Sequence, residues 1–104
     1  MKYRHLGNSG LEVSVIGLGT NNFGGRMEFK EAREVIFSAL DQGINLIDTA
    51  NIYSHGRSEE IIGRALADRR QESLIATKFG MVWEDGPHGH GGSRKHIMDS
   101  LEGS

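Results

Sequence analysis

The sequence predicts an α/β fold built on a parallel sheet. Short apolar segments alternate with segments of helical period, and glycines or polar residues punctuate each change. The chain has 104 residues, with 37% hydrophobic and 25% charged, which fits one domain with a core of its own. Glycine occurs 15 times and proline once, a balance expected of tight loop approaches rather than of a disordered linker.

Residues 2–6 and 11–15 flank Gly7-Asn8-Ser9-Gly10, whose turn chemistry predicts a hairpin. Residues 15–19 read as a short strand, apolar enough to be covered on both faces. A polar loop follows to Glu28. Residues 29–42 are predicted helical, because Ala32, Val35, Ile36, Ala39 and Leu40 fall on one face. Gly43 is the stop signal.

Residues 44–48 form the next strand and 49–57 a loop. Ser58 is read as the N-cap of a second helix, with Glu59 and Glu60 in its first turn and Ile61, Ile62, Ala65 and Leu66 buried. Residues 73–78 are a third strand. A loop rich in glycine and histidine spans 80–92. Ser93 caps a third helix, expected to turn Ile97, Met98 and Leu101 inward. The order is a hairpin, then β-α-β-α-β-α, with right-handed βαβ crossovers.

Several function classes fall away at this level. A net charge of −2 lacks the basic excess of a dedicated nucleic-acid binder. Without cysteine there is no disulfide framework, thiolate metal site or cysteine nucleophile. No apolar run is long enough to span a membrane, and the first ten residues do not read as a secretion signal, so the cytoplasm is the expected compartment.

Parallel α/β folds gather function at the carboxyl ends of their strands. Those ends carry Gly19-Thr20, Asp48 and Lys78, with Tyr53 just beyond Asp48. An acid, a phenol and an ammonium thus share one rim. A lysine cation beside a phenol favours proton release, and a carboxylate holds the lysine in place. The set is suited to giving a proton to a carbonyl oxygen as hydride reaches the carbon. An ordinary ion pair beside a packed tyrosine is the plainer reading of the same positions.

Other patterns are weaker. Gly17-Leu18-Gly19 begins like a dinucleotide fingerprint, but Asn22 stands where a small residue should open a helix. His88-Gly89-His90 with His55 lacks metal-ligand spacing on a rigid element. Met81 and Trp83 either line a substrate pocket or shield its mouth. Arg69-Arg70 and Arg94-Lys95 read as solvated helix ends, with Arg94 placed to reach a cofactor phosphate.

Taken together, the ordered stretches Tyr3-Arg4-His5-Leu6-Gly7, Gly17-Leu18-Gly19-Thr20, Gly43 to Ala50 with Tyr53, Gly56-Arg57-Ser58-Glu59-Glu60, Ala76-Thr77-Lys78 and Ser93-Arg94-Lys95-His96-Ile97 resemble the aldo-keto reductases. The resemblance covers essentially the whole chain. Its last segment and the long loop before it look like the branch with potassium-channel β subunits and their bacterial relatives.

The resemblance implies an N-terminal hairpin and the first part of a (β/α)8 TIM barrel, truncated after the third βα unit, so that residues 1–104 are a partial barrel domain. It implies NADPH-dependent reduction of small aldehydes or ketones. Three members of the family's tetrad map onto Asp48, Tyr53 and Lys78, with Tyr53 as general acid, Lys78 easing its proton release and Asp48 holding Lys78. Gly19, Thr20 and Asp48 would lie near the nicotinamide and its ribose. The tetrad's histidine follows the fourth strand in the family and has no counterpart among the five histidines here. A barrel of this kind takes about 250 residues. The chain alone is therefore expected to be incomplete and inactive. The alternative on the same scaffold is a regulatory or binding subunit. Natural substrate, the choice between NADPH and NADH, and oligomeric state are left open.

Overall fold

A computed structural model describes residues 1–104. Strands β1 (Tyr3–His5) and β2 (Glu12–Ser14) form an antiparallel hairpin. Strands β3 (Gly17–Gly19), β4 (Leu46–Asp48) and β5 (Leu74–Ala76) form a parallel sheet in that order. Helix α1 (Phe29–Asp41) connects β3 to β4, and α2 (Arg57–Ala65) connects β4 to β5. Helix α3 (Arg94–Gly103) follows the long loop. No helix is long and apolar enough to cross a membrane.

Strand period decides what each face carries. Leu18, Ile47 and Ile75 are in register and turn to the helices. There they meet Ala32, Ile36 and Leu40 of α1 and Ile61, Ile62 and Ala65 of α2 in one core with Phe23. The apolar stripes read from the sequence for α1 and α2 are the buried ones, except that Val35 is only half-buried. Gly19, Asp48 and Ala76 are the next register set and project to the opposite face. Asp48 therefore stands between two small neighbours, with room around its carboxylate.

The hairpin is tied to the amino end of the sheet. Asn45, just before β4, accepts from the Ser14 backbone N–H at 2.8 Å and donates to the Glu12 carbonyl at 3.0 Å. The Tyr3 hydroxyl donates to the Gly43 carbonyl at 2.7 Å. Gly43 itself has φ +89°, a left-handed value suited to ending α1.

Four expectations are corrected. The strands are shorter than read, because ladder pairing covers only three residues in each. Val15 and Ile16 are exposed, since they precede β3 in the link from the hairpin and lie outside the parallel ladder. Ser58 is not an N-cap; Gly56 holds that position with φ +94°, and Ser58 points into the core. Finally, α3 buries His96 while Ile97, Met98 and Leu101 are exposed, because no element of the 104 residues packs on that face. Ser93 does cap α3, accepting from the His96 backbone N–H at 3.0 Å.

Candidate active site

The carboxyl ends of the three parallel strands are knitted together by backbone bonds that continue past the ladder. Thr20 N–H donates to the Asp48 carbonyl at 3.1 Å, Thr49 N–H to the Ala76 carbonyl at 2.8 Å, and Asn51 N–H to the Lys78 carbonyl at 3.3 Å. This fixes where the side chains of Asp48 and Lys78 start.

Lys78 is the hub. Its Nζ lies 2.7 Å from Asp48 Oδ2, 2.9 Å from the Thr49 carbonyl oxygen and 3.2 Å from the Tyr53 hydroxyl. An ammonium has three N–H donors, and each has one acceptor here. The lysine is thereby held in one orientation, with its Nζ 4.9 Å from the centre of the Tyr53 ring. Since Lys78 donates to the phenol oxygen, the Tyr53 O–H remains free to donate to something else. The Lys78 ammonium is held above its ordinary range. Desolvation is the largest single influence and acts downward, but hydrogen bonding and electrostatic attraction to Asp48 and Tyr53 together outweigh it.

Tyr53 opens a short 3-10 turn, Tyr53–Gly56, between β4 and α2. Its backbone N–H donates to the Ala50 carbonyl at 3.2 Å. The two residues after it, Ser54 and His55, have φ of 48° and 50°, which non-glycine residues seldom adopt.

Behind the rim lies a hydroxyl cluster that sequence reading did not find. Thr20, Thr49 and Ser58 are all buried. Ser58 Oγ is 2.9 Å from Thr20 Oγ1 and 3.0 Å from Thr49 Oγ1, and it donates to the Thr20 carbonyl at 3.1 Å. Thr20 Oγ1 also donates to the Asp48 carbonyl at 3.0 Å. The hydroxyl of Thr20 thus faces inward and positions Asp48. Its only trace in the sequence is that Ser58 shares the apolar face of α2 with Ile61, Ile62 and Ala65.

Gly19 is exposed, with no atom within 4 Å of where a Cβ would stand. Arg94, in the first turn of α3, is exposed. None of the five histidines joins the Lys78 network. His5 lies in β1, His88 and His90 in the long loop, His96 is buried on α3, and the His55 ring stacks on Trp83. No group of three or more potential metal ligands occurs.

The model of the aldo/keto reductase family matches residues 15–104. The chain belongs to the aldo/keto reductase family. Over its whole length it is 41% identical to a probable voltage-gated potassium channel β subunit of Oryza sativa, of which it covers 33%. It is 40% identical to the aldo-keto reductase YhdN of Bacillus subtilis, again covering 33% of the relative. Among solved structures, the holo form of an aldo-keto reductase from Bacillus halodurans superposes on 99% of the chain with a TM-score of 0.86 and 37% identity, over 35% of that protein. The chain spans about a third of the length of these aldo/keto reductase relatives, and its three βα units are the α/β pattern of their barrels.

Proposed function

We propose that these 104 residues supply the first third of a cytoplasmic, NADPH-dependent reductase of small aldehydes and ketones. The observation that carries the reading is the Lys78 ammonium held at once by Asp48 Oδ2 and the Tyr53 hydroxyl. A plain surface ion pair would not need a phenol as third partner, nor three donors all satisfied.

The rim fits a nicotinamide nucleotide on the side the chain provides. Open space over Gly19 lets a flat group approach the backbone beside Asp48, its neighbour in register. Gly19 and Asp48 would border the nicotinamide and ribose. Thr20 would contribute by holding the Asp48 backbone, and Arg94 would approach a phosphate. The bound nucleotide supplies the hydride.

The chain's own groups handle the proton. Tyr53 gives its hydroxyl proton to the carbonyl oxygen as negative charge develops there. Lys78, donating to the same phenol oxygen, steadies the charge left on it. Asp48 keeps Lys78 charged and aimed. Later strands of the barrel would add the remaining binding surface and the tetrad's histidine. The 104 residues alone are therefore expected to show no turnover.

A regulatory or binding role on the same scaffold is the second reading. It is favoured by the 41% identity to the probable channel β subunit of Oryza sativa. NADPH oxidation by the full-length parent, measured with a panel of aldehydes and ketones, separates the two. Under the reductase reading, Tyr53→Phe lowers kcat by about 10²- to 10⁴-fold, the usual weight of a general acid. No turnover with any carbonyl compound, combined with a stable channel partner in a pulldown, selects the second reading.

A further inference from the structure

The segment that carries Tyr53 is gripped from both sides by residues outside the Lys78 network. Ser54, His55 and Gly56 all have positive φ, so the chain makes three successive left-handed steps between the phenol and α2. Only the last is a glycine, and non-glycine residues hold such angles only where their surroundings enforce them. On one side, Ser54 packs on the Gly24-Gly25 turn, where an added Cβ would come within 3.2 Å of Ser54 Cβ. On the other, the His55 ring lies flat on Trp83, with centroids 4.1 Å apart and planes 8° from parallel.

Trp83 belongs to the long loop after β5 and is anchored there. Its backbone N–H donates to the Gly89 carbonyl at 2.9 Å, and the Gly91 backbone N–H closes the loop on the Gly80 carbonyl at 3.0 Å. Gly56 also lies against the indole, close enough that a Cβ there would be in ordinary contact with it at 3.4 Å.

We infer that His55 and Trp83 form a clamp that holds the Tyr53 turn in its left-handed conformation, making both of them positioning residues for the phenol. The loop that carries Trp83 then does more than border a substrate. Whatever displaces it releases the turn that aims the tyrosine at Lys78. The functional meaning of the clamp rests on the reading of Tyr53 as proton donor, but the clamp can be tested without turnover.

The chain offers clean reporters. Trp83 is its one tryptophan, and Tyr3 and Tyr53 are its two tyrosines, with Tyr3 in the hairpin at the other end of the sheet. The variants are His55→Gly, which removes the ring while accepting positive φ freely, and His55→Phe, which keeps a flat ring. Trp83 emission and the ring resonances of ring-labelled tyrosine are recorded in the 104-residue chain.

In His55→Gly, Trp83 emission should rise and shift red as a stacked quencher gives way to water. The Tyr53 resonances should move toward unfolded values while those of Tyr3 stay fixed. His55→Phe should return Tyr53 to its wild-type position. Trp83 emission indifferent to His55→Gly would overturn the clamp. So would a changed emission with unmoved Tyr53 resonances, which would make the stack a loop contact only. An inactive parent enzyme with these spectroscopic results intact would sink the reductase reading and leave the clamp standing.

Discussion

The hydroxyl of Ser58 lies 3.0 Å from that of Thr49, both fully buried, and this serine is the only hydrogen-bond partner of the Thr49 side chain. Thr20, the third member, keeps a second bond to the Asp48 carbonyl. Removing the Ser58 hydroxyl therefore orphans Thr49 more than Thr20. Ser58→Ala should cost about 1–3 kcal/mol, the usual penalty for a buried polar group left unpaired. Urea unfolding of the two proteins gives the difference directly. A loss below a few tenths would mean that the cluster does not knit the strand ends.

The pH dependence of the Lys78 contact has a definite sign. The folded-state value is raised above the ordinary 10.5, against desolvation and because of Asp48 and Tyr53. A raised value means that the folded state binds the proton more tightly than the unfolded chain. The stabilisation is thus complete below about 10.5 and is lost as pH rises through the folded-state value. The Lys78 and Asp48 side chains are 48% and 47% exposed, so water screens the pair and its contribution is below about 1 kcal/mol. Thermal midpoints of wild type and Lys78→Met should differ slightly at neutral pH and converge above 10.5. A gap that widens at alkaline pH would refute the assignment.

Gly24 should not accept a side chain. Its φ is +85°, and a Cβ there would come within 2.6 Å of Arg57 Cβ at the start of α2. Gly24→Ala should destabilise the chain by at least about 1 kcal/mol, since strain and overlap add. Because Ser54 leans on the same turn, the variant should also disturb the tyrosine segment. Calorimetry reads the first effect, and the Tyr53 ring resonances the second.

The exposed face of α3 gives the opposite expectation. Leu101 is 62% exposed, and Ile97 and Met98 lie open beside it. Leu101→Glu should change the Tm of the 104-residue chain little, by less than about 0.5 kcal/mol in stability. It should lower self-association in sedimentation experiments, because an apolar patch in water invites contact. A large fall in Tm would show that α3 is covered in solution.

What was legible in the sequence follows from local physics. Periodicity placed α1, α2 and the core stripe of Ile36, Leu40, Ile61 and Leu66, because a helix face recurs every 3.6 residues whatever surrounds it. The alternation of strands and helices gave the parallel sheet, and the carboxyl-end rule gave Asp48, Tyr53 and Lys78, which the fold brings together around one ammonium. Ser93 was recognisable as a cap because its partner is three residues away.

What the sequence did not reveal depends on distant neighbours. Ser58 has the composition of a cap, and only Thr20, 38 positions earlier, and Thr49 make it a buried hub. Ile97, Met98 and Leu101 have the spacing of a buried stripe, but burial needs an opposing surface and none of these 104 residues supplies it. The left-handed run at Ser54 and His55 carries no glycine signal and is held by Trp83 and the Gly24-Gly25 turn. By itself, then, the sequence determined the elements and the residues at the rim, since those rest on period and order. The tertiary structure alone decided which hydroxyls, rings and glycines hold that rim, because such contacts join positions that only folding brings within a few ångströms.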